Sequence, residues 1–481
     1  MSKKNQNYTN RKQNRFQPER MRGNVFVNNN GRQWRPGENG RAAKVERLLK
    51  GAKEERKEIA GNMAGYKYSG VKWIGAIPKE WNVNKLKYIC HEYGKTSLMH
   101  PENDKYIGLE NVISYSDVIN PTDTEYAESI QKVCKKGTLL FSKLRPYLAK
   151  VVIAPFDGYC TNEFLEFDYF YGDMRFLKHC LRNPKFINEV DNTTYGVKMP
   201  RTNTGIVLNQ YIPLPPLPEQ QRIADFLDTK CGILDRTIDA VSRQIEDLEK
   251  YKKALITKTV TKGICKKGET ERAMKDSGVE WIGEDVPFDW DINRLQFCID
   301  EISERNYAGK ETHILSLMKD KGVIPYEEKG RVGNISKTDL TQYKLAYPNT
   351  LITNSMNIII GSSGVSQYKG CVSPAYYVFK AKPNNDIRYF NYIFAVRAFQ
   401  NECRRFANGI LEIRLRISST NLLKIKVPVP PLAEQQQIAD YLDEKCKNID
   451  NRMQKRKQQL EWLKEYKKSL IFDYVTGKKR V

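Results

Sequence analysis

Pro215-Pro-Leu-Pro-Glu-Gln-Gln-Arg-Ile-Ala-Asp-Phe-Leu-Asp228 returns 215 residues later as Pro430-Pro-Leu-Ala-Glu-Gln-Gln-Gln-Ile-Ala-Asp-Tyr-Leu-Asp443. The two stretches differ at only three of fourteen positions, and both run on to a Tyr-Lys-Lys-x-Leu-Ile segment, 251–256 and 466–471. A second pair lies upstream: Ser69-Gly-Val-Lys-Trp-Ile-Gly75 and Ser277-Gly-Val-Glu-Trp-Ile-Gly283, each followed by a Pro and a Trp, Pro78 and Trp81, then Pro287 and Trp290. Two motifs repeated in the same order make the chain a duplication. Each half, of about 210 residues, is a globular part followed by a helical part.

The helical parts carry a heptad seam. Ala224, Leu227, Cys231, Leu234, Ile238, Val241, Ile245, Leu248 and Leu255 fall at a and d positions in the first. Ala439, Leu442, Cys446, Ile449, Met453, Leu460, Leu463 and Leu470 do so in the second, with Arg456 and Lys467 interrupting. Such a seam seeks a partner helix. One reading packs each helix on its own head. The other pairs the two helices antiparallel, about a pseudo-twofold axis, with Leu227, Leu234, Val241, Leu248, Leu442, Ile449, Leu460 and Leu463 at the contact. A helix of roughly 39 residues is about 58 Å long, more than one turn of DNA, roughly 34 Å.

The expected fold is α+β: two mixed α/β heads in pseudo-twofold arrangement, joined by two long antiparallel coiled-coil helices. The expected segments are a basic, disordered extension over 1–62, a head over 66–214, a helix over 215–262, a second head over 274–428 and a second helix over 430–476. Runs such as 137–141, 150–154, 350–353, 357–360 and 376–379 read as strands, and 387–405 reads as helical. Within the extension, 41–59 reads as a charged helix.

Across its 481 residues the chain carries 80 Lys and Arg against 57 Asp and Glu, a net charge of +23. Residues 1–62 hold 16 and 6 of these, so the body remains basic at +13 without them. That excess favours a polyanionic partner. No apolar run is long enough to cross a membrane, no export signal opens the chain, and the ten cysteines form no C-x-x-C pair. The expected location is the cytoplasm.

Motifs for chemistry are missing. There is no G-x-x-x-x-G-K-[ST] loop for nucleotide phosphates, and the Pro-Pro pairs are followed by Leu217 and Leu432 rather than an aromatic residue that would hold a flipped base. Glu163 and Glu166 flank a strand-like run without the further carboxylate and lysine of a metal-dependent nuclease, and read as surface or structural residues. His91, His100, His179 and His313 are scattered. The chain reads as non-catalytic. The residues fit to touch nucleic acid are Lys143 and Arg145 in Ser142-Lys-Leu-Arg-Pro146, Lys198 and Arg201 in Gly196-Val-Lys-Met-Pro-Arg201, and Arg414 and Arg416 in the second head. Arginine can fork onto guanine or phosphate, and lysine binds phosphate as a point charge. Tyr195, Tyr376 and Tyr377 could meet bases, or pack inside.

The Ser-Gly-Val-x-Trp-Ile-Gly openings, Phe141-Ser-Lys-Leu-Arg-Pro-Tyr147, Cys160-Thr-Asn-Glu-Phe164, Asn354-Ser-Met-Asn357, Gly364-Val-Ser366, Ser373-Pro-Ala-Tyr376 and the proline-led Glu-Gln-Gln helices resemble the specificity subunit of type I restriction–modification systems. The resemblance spans about 66–476. It implies two target recognition domains, each reading half of an asymmetric bipartite site in double-stranded DNA, with the helices setting the spacer. It further implies two docked modification (methyltransferase) subunits that bind S-adenosylmethionine and methylate adenine, and restriction subunits that use ATP and Mg, this chain holding no cofactor or metal itself. The other readings are a coiled-coil scaffold or degenerate copy with no DNA role, and a self-sufficient methyltransferase or nuclease.

Overall fold

The computed structural model describes residues 26–27, 33–34 and 65–481, apart from 101, 103, 121–127, 197, 265–271, 284, 319–320, 331–338, 357 and 408–414. The expected extension therefore lies largely outside the described residues, as does its charged helix. Only a short antiparallel ribbon, Phe26–Val27 with Gln33–Trp34, is described there. The chain divides into two compact units: 1–228 with 470–481, and 229–469. Each is described by itself.

The head of the first unit is built on a four-stranded antiparallel sheet. Its order is Val151–Ile153, Leu139–Ser142, Phe164–Phe170, Cys90–Glu92. The second unit repeats that order with Ser363–Val365, Leu351–Asn354, Tyr376–Ala381 and Ile299–Glu301. Beside each sheet lies a broken helix pair, Met174–Arg182 with Pro184–Asp191 and Ile387–Ala395 with Arg397–Arg405. Asp173 and Asp386 cap their first helices by accepting from the Arg175 and Arg388 amides, 2.8 and 2.9 Å, which satisfies donors the helix cannot. The heads differ in what is added. The first carries a second four-stranded sheet (Thr96–Met99, Ser129–Cys134, Gly158–Cys160, Tyr106–Ile107), and the second has two separate ribbons. One strand expected from the sequence is corrected. Ile358–Ile360 form a single 3-10 turn, closed by the Gly361 amide on the Ile358 carbonyl at 2.9 Å, with Gly361 at φ +76°.

The long helices run Leu217–Lys262 and Leu432–Val475. The repeated Glu-Gln-Gln explains how each leaves its head. Glu219 accepts from the Trp81 indole at 2.9 Å, and Glu434 from Trp290 at 2.8 Å. Gln220 accepts from the Asp173 amide (3.0 Å) and donates to the Pro215 carbonyl (2.8 Å). Gln435 does the same with Asp386 and Pro430. Both glutamines are buried, where an unpaired amide would be costly, so these bonds fix the angle at which helix meets head.

Within the second unit the helices pair antiparallel. Val241, Ile245 and Leu463 form a small core flanked by Leu234, Ile238 and Leu460. Cross-helix ion pairs join Asp235 to Lys467 (2.5 Å), Glu249 to Lys457 (3.9 Å) and Lys252 to Asp450 (2.7 Å). Partners descend along one helix as they ascend along the other, which defines the antiparallel register. Burying Val241, Ile245 and Leu463 contributes roughly 5–9 kcal/mol before entropy. Lys467, which breaks the seam, is thus answered by Asp235. Arg456, the other interruption, is exposed and lines an open cleft of about 500 Å³ with Arg452, Leu248 and Tyr251. Leu248 is therefore only half-buried. Leu442 packs in the core of the second unit with Ile256 and Val260 of the first helix, Ile449 is buried nearby in sequence, and Leu227 is buried in the first unit.

The end of each helix closes the head of the other half. Ile256 and Val260 enter the core around Trp290, and the Val260 carbonyl accepts from Tyr389 at 3.1 Å. In the first unit the Gly477 carbonyl accepts from Tyr66 at 2.8 Å, while Lys478 donates to the Ile74 and Ala76 carbonyls. Gly263 and Gly477 terminate the helices at φ +78° and +68°, the left-handed geometry glycine supplies.

Candidate nucleic-acid interface

In the first head the chain turns sharply after strand Leu139–Ser142. Lys143 and Arg145 sit in that turn, and Arg145 has φ +49°. A non-glycine residue there is held against its preference. What holds it is the second nominated loop. The Arg145 amide donates to Pro200 at 2.7 Å, the Thr202 amide donates to Lys143 at 2.9 Å, and Leu144 bridges Arg201. Tyr195 and Arg201 exchange two backbone bonds, 3.2 and 3.0 Å, making the second loop a tight hairpin. More than fifty residues apart in sequence, Lys143 and Arg145 are thus joined to Lys198 and Arg201 on two loops stitched together by backbone.

These cations are poorly neutralised. Arg201 pairs with Glu163 at 3.2 Å. Among the described residues Lys143, Arg145 and Lys198 form no ion pair, and the Arg145 Nε is buried without a hydrogen-bond partner. Burial, then the nearby Lys132 and Arg201 charges, hold the Lys143 ammonium below its usual range. Uncompensated cations in a partly buried loop favour an arriving anion or a base acceptor. Tyr195 is 60% exposed and Met199 58%, beside Arg201, so this loop also offers a ring for stacking. Tyr377 is buried, its hydroxyl donating to the Ile417 carbonyl at 3.0 Å, and Tyr376 is half-buried.

The second head has the same backbone stitch. One residue past strand Leu351–Asn354, the Ser355 carbonyl accepts from Ile417 at 3.4 Å, matching Lys143 and Thr202. Arg416 is exposed in the place of Arg201. Arg414 lies outside the described residues. Ser355 replaces Lys143 and is fully buried with its hydroxyl unpaired. The two heads thus put different chemistry on one backbone frame.

Glu163 and Glu166, alike in the sequence, differ in their surroundings. Glu166 is fully buried, paired to Lys132 at 2.8 Å, and burial raises its pKa. Glu163 lies at the interface against Arg201. No signal in the spacing distinguishes them, because only the sheet register reveals which one reaches the loops. Among the described residues there is no His/Cys/Asp/Glu group able to hold a metal ion, and no helix is long and apolar enough to cross a membrane. The nine described cysteines are free thiols.

A family model described as the type I restriction modification DNA specificity domain matches twice, over 78–250 and 294–462. The chain belongs to that family. Its two DNA specificity domains correspond to the two halves, each match covering a head and much of the following helix. Among curated relatives, the chain provisionally named the type I restriction enzyme MjaX specificity subunit of Methanocaldococcus jannaschii is 27% identical over 444 residues, 85% of this chain and 96% of that one. The type I restriction enzyme MjaVIII specificity subunit of the same organism is 28% identical over 301 residues, 60% of this chain and 66% of that one. A solved chain from work on complex assembly and conformational transition of the type I R-M system superposes with TM-score 0.58 at 18% identity. It covers 83% of this chain and 98% of the other, a likeness of fold.

Proposed function

We propose that this chain is the non-catalytic, DNA-reading subunit of a type I restriction–modification complex. Each head reads one half of a bipartite site in double-stranded DNA, and the site is asymmetric because the heads present different side chains. Lys143, Arg145, Lys198 and Arg201 act in the first head, and Arg414 and Arg416 in the second. The paired helices set the unread spacer and dock two modification subunits. S-adenosylmethionine is bound by those subunits, and ATP and Mg by restriction subunits, in the cytoplasm. The single observation that carries this reading is the repeated backbone stitch after the shared central strand. It brings the unpaired cations of the first head together and sets Arg416 at the same position in the second, within a chain whose halves both match DNA specificity domains.

The test is genome-wide mapping of N6-methyladenine in a host expressing the chain with its modification subunit, against a host lacking only this chain. A gapped, asymmetric motif that vanishes with the chain is the expected result. Methylation unchanged by its loss would refute DNA reading and leave a scaffold or inactive copy.

A further inference from the structure

Glu163 is out of place in a loop built to meet a polyanion. Its side chain is about a quarter exposed, its Oε1 lies 3.2 Å from Arg201 Nη2, and its Oε2 is buried with no hydrogen-bond partner. The backbone locks it there, since its carbonyl accepts from the Lys143 amide at 2.9 Å and the Lys143 carbonyl accepts from Thr202 at 2.9 Å. Lys143, Glu163 and Arg201 are therefore brought together by backbone. Lys132, whose charge also acts on Lys143, is already satisfied by Glu166 (2.8 Å) and the Phe164 carbonyl (3.0 Å). Among the described residues, Arg201 is the one of the four cations that forms an ion pair, although the Glu163 charge also reaches Lys143.

A carboxylate beside an arginine treats the two surfaces of DNA differently. A phosphate approaching Arg201 meets the Glu163 charge and is repelled. A base edge is neutral and meets a guanidinium that Glu163 draws to one side by an ion pair at 3.2 Å. Phosphate contacts bind any sequence, and base-edge contacts carry the information. Specificity needs the wrong partner to be penalised as well as the right one favoured.

We propose that Glu163 is a positioning residue that acts through Arg201, holding the guanidinium for base edges and withholding it from phosphate. It keeps a cationic loop from becoming a general polyanion grip. This rests on the DNA-reading function proposed above.

The experiment uses the chain assembled with its modification subunits and two duplexes of equal length. One carries the methylation motif mapped in the host, the other a random sequence. Affinities are measured across a salt series. In Glu163→Gln, binding to the random duplex tightens several-fold. Its log–log salt slope steepens by about 1, as one more cation is released to phosphate, and the preference for the motif falls about tenfold or more. Glu163→Asp, which keeps the charge, retains the wild-type salt slope. In an Arg201→Ala background, Glu163→Gln changes neither slope nor preference. A merely structural residue would weaken both duplexes together with an unchanged slope, and that result overturns the proposal. So does an effect of Glu163→Gln that persists without Arg201, or a motif preference unchanged in Glu163→Gln. Equal binding of both duplexes by the wild-type complex overturns the DNA-reading function instead, and this proposal with it.

Discussion

The duplication supplies its own control for the energetics of the helix pair. Lys467–Asp235 and Lys252–Asp450 occupy equivalent positions in the two repeats, each joining the two helices, at 2.5 and 2.7 Å. They differ in burial. The Lys467 side chain is 4% exposed and Asp235 22%, against 29% and 49% for Lys252 and Asp450. At an effective dielectric of about 20 the buried pair attracts by roughly 6–7 kcal/mol gross, and in water the exposed pair by roughly 1.5 kcal/mol. Desolvation and side-chain ordering absorb much of both. What survives on removing one partner is about 3 kcal/mol for the buried pair and under about 1 kcal/mol for the surface pair. Asp235→Ala should therefore lower the melting temperature of the second unit by roughly 6–12 °C, and Asp450→Ala by about 4 °C or less. Urea unfolding followed by helical circular dichroism, with a constant m value, isolates the stability change. Losses of equal size in the two variants would refute the argument, because burial would then not decide what an ion pair contributes here.

Three further outcomes are expected. Gly477→Ala places a Cβ 2.5 Å from Pro78 Cδ at a φ of +68°, so the first unit should lose about 2–3 kcal/mol, read as a lowered melting temperature, while Gly205→Ala, within a helix and with only an Asn203 Oδ1 at 3.4 Å, should be neutral or gain up to about 1 kcal/mol. His179 is fully buried against Asp228 at 2.8 Å, and burial depresses its pKa from 6.5 to about 4. The unfolded chain therefore binds the extra proton between those values, and stability should fall by up to about 3 kcal/mol as pH drops from 6.5 to 4 and then level off for this group. Denaturation across that window measures it, and His179→Gln should flatten this limb. Lys198→Ala should weaken binding of motif and random duplexes alike and reduce the salt slope by about 1, measured by the same titrations, with the methylated motif unchanged.

Much of the fold was legible because the duplication preserved the residues that make unusual contacts. Trp81 with Glu219, and Trp290 with Glu434, are hydrogen-bonded across more than a hundred residues, and a partner pair of that kind tolerates few replacements. The shared sheet order was invisible for the opposite reason. Leu139-Leu-Phe-Ser142 and Leu351-Ile-Thr-Asn354 are equivalent central strands, all eight residues buried, yet only the first residue is identical. A strand inside a head needs to fill volume and complete its ladder, and many side chains do both.

The same contrast accounts for what could and could not be read of the interface. Seam positions announce themselves by period, and even the interruption at Lys467 is intelligible once Asp235 is seen across from it. Interface loops have no period. In sequence, Lys143 and Arg201 are cations near turns, and Glu163, like Glu166, is a carboxylate beside a strand-like run with no metal-site pattern around it. Its distinction comes from three backbone bonds that fold two loops onto each other. Such bonds use groups every residue possesses, so they leave no trace in side-chain identity. A frame held by backbone can let its side chains change freely, and that is the property a DNA-reading head requires. Lys143 and Ser355 can then differ at one position of the frame while the strand that presents them, the helix that carries them and the Glu-Gln-Gln junction between the two stay fixed.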